Sequence, residues 1–418
     1  MSGQRISTLV TATVAFGSGI YLGPLTVTET GAIAASAEGA DGVYAPAGFA
    51  GPSLANAGSI TGGPGGGDGV DFLSAGQLVN AGTITGGAGG VGVYLEGGTL
   101  TNAGLIASGA GATGGDAVEF GSQAATLVVE GGAQFEGAVA ANAAADDTLV
   151  LSQARGGGLI AGIGTDYTGF TQITEQAGAN WGLGDANTLG AGTTLTIGGL
   201  LSVQDSLDGE GSAIVSARAI LENIGGGFLQ LAGLQLAGGT LEGSAVSTIL
   251  IGTAGIGGGP AAAGSITING AANIEGFGQV TGAAVTDDGS IIARGGTLTL
   301  ASAVSGTGLA RIDAGATLRL FASMAANIVF GANGGETLFA AHGVAITGTI
   351  FGFAPGDIID LRVPATSLEY AGGVLTLLDQ GHAVDRLTLS GRYAQANFTL
   401  TPDGHGGADI GLLPGSHV

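Results

Sequence analysis

The sequence contains no cysteine and no lysine, and it is poor in aromatic and charged residues. Without cysteine it has neither a disulfide framework nor a thiolate metal site. Without lysine, nine arginines face 32 acidic side chains, for a formal charge of −23 and a pI near 4.1. That balance argues against nucleic acid, or an anionic membrane surface, as a partner, because phosphates require a basic surface to displace their counterions. Aromatics at 5% and charges at 10% over 418 residues do not resemble an average globular enzyme. No apolar run reaches the ~18 residues a transmembrane helix needs, so the chain is not expected to be transmembrane.

What the chain has instead is glycine, 88 residues of it. The intervals hold Val, Ile, Leu and Thr, the apolar fraction is 45%, and glycine shows no three-residue period. Collagen and flexible linkers are thereby set aside, and the glycines read as turns of a β-fold that can bury a core.

The repeats carry the fold. SLANAGSITGG begins at Ser53, QLVNAGTITGG at Gln77 and TLTNAGLIASG at Thr99, each preceded by a short strand, DGVYA, DGVDFL or VGVYLEGG. A degenerate copy follows from Asp116. Asn56, Asn80 and Asn102 are 24 and 22 residues apart, and Val43, Val70, Val93 and Val118 are 27, 23 and 25 apart. Such a period matches one coil of a parallel β-solenoid with three short strands and glycine-rich corners. The expected fold is therefore all-β, a right-handed parallel β-helix with a C-terminal β-rich capping region.

Corners often take positive φ, which Gly and Asn tolerate. On that argument the NAG triplets place Asn56, Asn80 and Asn102 at one corner as a hydrogen-bonded amide ladder; independent solvated turns are the competing reading. Three regions follow: residues 1–40, a strand pair starting the solenoid; 41–330, parallel coils, regular to 137 and looser beyond; and 331–418, a cap or secretion module of antiparallel hairpins. In the first region Arg5 precedes ISTLVTATVAF and Ala35-Ser36-Ala37 fits a small-x-small cleavage site, so a signal peptide competes with the strand pair. The β-branched content favours strands and export without a cleaved leader.

VAFGSGIYLGPLTVTETGAI followed by NAG-type coils resembles the repeats of large glycine-rich surface proteins of alphaproteobacteria, similar to autotransporter passengers and filamentous adhesins. FGFAPGDIIDL, LTLSGRY and FTLTPDGHGGADI look like the module that closes such proteins. The resemblance implies a right-handed β-helix, a cell-surface or matrix location, and type I-like export reading the C-terminus. Self-transport is not expected, since no outer-membrane barrel domain is recognised there.

Several groups are candidate sites. Residues 66–73, GGDGVDFL, fit a calcium-binding nonapeptide, but the neighbouring coils carry Val91-Gly92-Val93 and Asp116-Ala117-Val118 instead of consecutive copies. Asp357, Asp360, Asp403 and Asp409 are the preferred calcium candidates, because a cap could converge them on one ion; hairpin and loop-capping roles compete. Trp181, Tyr167 and Phe170 form either a sugar-stacking platform or, by preference, core and corner packing. Scattered carboxylates and arginines, and four histidines confined to the terminal module, give no catalytic constellation, so no enzyme is expected. The function expected is that of an extracellular structural or adhesive protein of the bacterial surface or biofilm matrix. Its solenoid ends would allow head-to-tail self-assembly into filaments, and its other partners would be surface polysaccharide or a host surface. A polysaccharide-binding or polysaccharide-degrading β-helix is the alternative.

Overall fold

Within each repeat, apolar residues alternate with Thr, Ser or Gly, and a strand places alternate side chains on opposite faces. Each short segment therefore has one face to bury, and the only surface that can bury it is the equivalent face of neighbouring coils. The computed structural model describes residues 3–18, 21–110, 115–224, 228–243, 248–251, 264–268, 270, 272–281, 283–332 and 334–415. Their strands stack in parallel as a β-solenoid of about 15 turns. The chain divides into two compact units, Met1–Gly199 and Leu200–Val418.

From Gln4 to Leu151 three parallel sheets line the coils of the first unit, and each buries a column built mainly of one residue type. Leu54, Leu78, Leu100, Leu127 and Leu149 stack in the first sheet. Ile33, Ile60, Ile84 and Ile106 stack in the second. Val14, Val43, Val70, Val93, Val118 and Val139 stack in the third. All are at most 1% exposed. Burying each such side chain contributes about 1.5–3 kcal/mol.

The first 40 residues hold more than a strand pair. Gln4–Ile6, Leu9–Val10 and Val14–Ala15 form a complete three-stranded coil, and Leu25–Val27 and Ala32–Ala34 belong to the next. Each strand of the first coil pairs in parallel with its successor one coil on. With coils stacked directly, a segment that alternates like a hairpin has its best partner about 20 residues away, across a full turn.

Glycines 58, 82 and 104 of the NAG triplets have a different cause from the one expected. None has positive φ, and neither do their asparagines. Instead, a Cβ on Gly82 would fall 2.1 Å from the Gly58 carbonyl oxygen, and one on Gly104 would fall 2.1 Å from that of Gly82. Glycine is required there because consecutive coils touch through their backbones.

In the second unit the parallel stacking continues further than the sequence suggests. Asn327–Phe330, Thr337–Ala340, Thr349–Phe351 and Ile358–Leu361 still pair in parallel with the preceding coils. The change expected at residue 331 comes only at Ser367–Ala371, which pairs antiparallel with Val374–Asp379, itself antiparallel to His382–Ser390. The two connecting turns explain why: Gly372 and Gly373, then Gln380 and Gly381, all have positive φ, the conformation of two-residue hairpin turns. Phe398–Pro402 pairs with Ala408–Leu412, which lies antiparallel on Ile358–Leu361 and so covers the last parallel strand of that column.

Candidate functional site

The asparagine column lies at the end of the first sheet's strands, where Asn56, Asn80 and Asn102 are in register. All three are at most 2% exposed. Asn56 Nδ2 donates to Asn80 Oδ1 at 2.8 Å, and Asn80 Nδ2 to Asn102 Oδ1 at 2.9 Å. Each Oδ1 also accepts the backbone N–H of the glycine two residues on, at 3.1–3.3 Å. The second amide hydrogens reach the carbonyls of Thr83, Leu105 and Gln134. The column begins above Val27 and ends below Val129. The amide nitrogens reach the neighbouring coil and the amide oxygens hold the turn of their own, so the role of these residues is structural.

The terminal aspartates separate into two places. Asp360 and Asp409 face each other across the antiparallel pair. Arg362 reaches Asp403 at 3.2 Å and Asp360 at 3.8 Å, so the cation between these three carboxylates is a guanidinium of the chain itself. Asp403 Oδ1 also accepts the N–H groups of His405 and Gly407, which holds the turn. Burial raises the pKa of Asp360, with Asp409 adding to the shift, and burial raises that of Asp409, with Asp403 adding. Asp357 stands apart: 2% exposed, it accepts the N–H of Ala354 at 2.8 Å and that of Glu336 at 3.3 Å.

Elsewhere, three carboxylates come together, Asp68 and Asp71 of the 66–73 motif and Asp41, which the motif does not include. Oxygens of Asp41, Asp68 and Asp71 lie within 4.8 Å of one another. Asp41 Oδ1 accepts the N–H of Asp68 at 2.9 Å, and Asp68 Oδ1 accepts that of Val91 at 2.8 Å, so each aspartate ties its coil to the next. Asp71 stands in the outward column between Tyr44 and Tyr94. Burial, with Asp41 and other acids nearby, pushes Asp68 to about 6 and Asp71 to about 7. A calcium ion takes roughly six to eight oxygens. This cluster offers three carboxylates, two of which already accept a backbone N–H. The signal in the sequence was the recurrence of Asp-Gly-Val at Asp41 and Asp68, one coil apart.

The three aromatic candidates do not form a platform. Trp181 is 2% exposed and its indole N–H donates to the Ser152 carbonyl at 3.0 Å. Phe170 packs edge-on to Phe120, and Tyr167 edge-on to Phe135. Both partners lie in earlier coils, so these rings are packing between coils. No helix among the described residues is long and apolar enough to cross a membrane. No family model, curated protein or solved structure matches this chain.

Proposed function

We propose that this chain is an extracellular structural or adhesive protein of a bacterial surface or matrix, which self-associates through its solenoid. One observation carries the reading. Among the described residues, Gln4–Ile6, Leu9–Val10 and Val14–Ala15 each stand at the end of their sheet's strand order, with a strand partner on one side only. Their outer backbone groups form a template on which another chain's strand can pair.

The chemistry of the first coil fits a second copy as the occupant. Leu9 is 62% exposed beside these edges, and the coil carries a single charge, on Arg5. Addition of one solenoid end to another is heterologous and need not close, so it builds a filament. The surface and matrix setting rests on the resemblance to alphaproteobacterial surface proteins, and non-enzymatic function belongs to the same reading. Negative-stain electron microscopy of purified protein over a concentration series tests it. Filaments or end-to-end oligomers are expected, and uniform monomers at the highest concentration would refute self-association.

A further inference from the structure

In a chain of such acidic composition, the outer face of the second unit carries a cluster of arginine and aromatic side chains. Arg319 and Phe339 are in register on consecutive coils. The Arg319 guanidinium carbon lies 4.7 Å from the Phe339 ring centre and 5.4 Å from that of Phe321. The Arg362 guanidinium approaches the Phe339 ring at 5.2 Å. Phe321 and Phe339 have ring centres 5.7 Å apart, tilted by 44°. Phe339 is nearly covered, whereas Phe321 remains 48% exposed.

The register also creates a step. Leu320, Ala340 and Leu361 stack, and the next residues, Phe321, Ala341 and Arg362, continue the ladder through backbone bonds of 2.9–3.0 Å. Ala341 is thus a small floor between the Phe321 ring and Arg362. Arg362 is held by Asp403 and Asp360. Arg319 has no acidic partner among the described residues.

We infer that this shelf binds a saccharide bearing a carboxylate, such as a uronic acid unit: Phe321 stacks against the apolar face of the sugar ring and Arg319 pairs with the carboxylate. A guanidinium fixed over aromatic rings is pre-organised for a planar carboxylate and loses little freedom on pairing. Thr317–Leu320 and Thr337–Ala340 are each paired on both sides, so the shelf has no free backbone edge for a peptide strand. That favours recognition by side chains alone. The nearby carboxylates, Asp360 beside Phe339 in register and Asp403, are paired with Arg362, and more distant acidic groups are screened beyond about 8–10 Å at physiological salt, so Arg319 is the cation left to set the sign of the contact.

The inference shares with the proposed function only its extracellular setting. The test is calorimetric titration of the soluble full chain with trigalacturonate, with its methyl ester and with neutral maltotriose. Trigalacturonate is expected to bind about tenfold or more tighter than the ester, the usual scale of one charge-assisted contact. Arg319→Gln is expected to abolish that difference, Phe321→Ala to weaken the acid by a similar factor, and Arg392→Gln, an equal change of charge on another exposed site, to leave binding unchanged. Absent binding, equal affinity for acid and ester in the unmutated chain, or full binding by Arg319→Gln would overturn the assignment. Because binding is read on dispersed protein, failure to form filaments leaves this result intact, and a failed titration leaves the structural reading intact.

Discussion

Glu336 and Asp357 occupy equivalent positions of consecutive coils, one residue before the paired strands Thr337–Ala340 and Ile358–Leu361, and the Glu336 N–H donates to Asp357 Oδ1 at 3.3 Å. Glu336 is 0% exposed, no other residue's N–H group among the described residues donates to its carboxyl oxygens, and the Asp357 carboxyl lies within hydrogen-bonding reach. Burial, with Asp357 beside it and Asp313 nearby, pushes Glu336 up to about 7. A buried carboxylate without a counter-charge is costly, so the acid form is favoured to a higher pH than in the unfolded chain.

Stability is therefore expected to fall as pH rises. A carboxyl whose pKa is raised on folding contributes fully below its unfolded value, and the contribution is lost as pH passes the folded value. For Glu336 that window runs from 4.5 to about 7. Glu175 is raised by burial to about 7 and Asp287, also by burial, to about 6, so they act with the same sign. Thermal unfolding should show a higher midpoint at pH 5 than at pH 8. Glu336→Gln, which keeps the shape and removes the titration, should flatten part of that slope; an unchanged slope would show that Glu336 does not contribute.

Asn80 is the central rung of its column, bonded to Asn56, Asn102 and three backbone groups in addition. Asn80→Ala should destabilise the first unit by about 1–3 kcal/mol, because buried donors and acceptors on neighbouring coils lose their partner. Asn80→Asp keeps an acceptor for Asn56 but loses the donor to Asn102, and is expected to be no better than the alanine. The unfolding midpoints of the three proteins decide this.

Two glycines separate backbone contact from backbone conformation. A Cβ on Gly82 meets a carbonyl oxygen at 2.1 Å, whereas Gly66 has φ +97° and open space around it. Gly66→Ala should cost about 1–2 kcal/mol of left-handed strain. Gly82→Ala forces two coils apart and should cost more, read as the larger drop in midpoint.

Filament growth should depend on the outer edge of the first strand. The Gln4 N–H donates to Pro24 and the Ile6 carbonyl accepts from Thr28, both one coil on. Arg5, between them, turns its own backbone groups the other way by strand alternation. Arg5→Pro removes one outward N–H without touching the inner ladder. Microscopy should then show shorter or no filaments at an unchanged unfolding midpoint; filaments of unaltered length would show that this edge is not used.

Sequence by itself determined the parallel stacking of the first unit and the asparagine column. Val43, Val70, Val93 and Val118 recur at nearly one coil length, and residues at that spacing stack whenever the coils close, so the recurrence is itself the register. Alternation could not decide where stacking stops. Ile358–Leu361 and Ala408–Leu412 both alternate, yet one pairs in parallel with the previous coil and the other runs antiparallel on it. A two-residue period defines which face is buried and says nothing about the neighbouring strand's direction.

Only the tertiary structure gathered Asp41, Asp68 and Asp71, whose carboxylates meet across two coils, and it moved Asp357 away from the other terminal aspartates to lie against Glu336. Only it brought Arg319 and Arg362 to the ring of Phe339. Those contacts depend on coil lengths and side-chain reach between coils of unlike sequence, where no repeat marks the positions that meet.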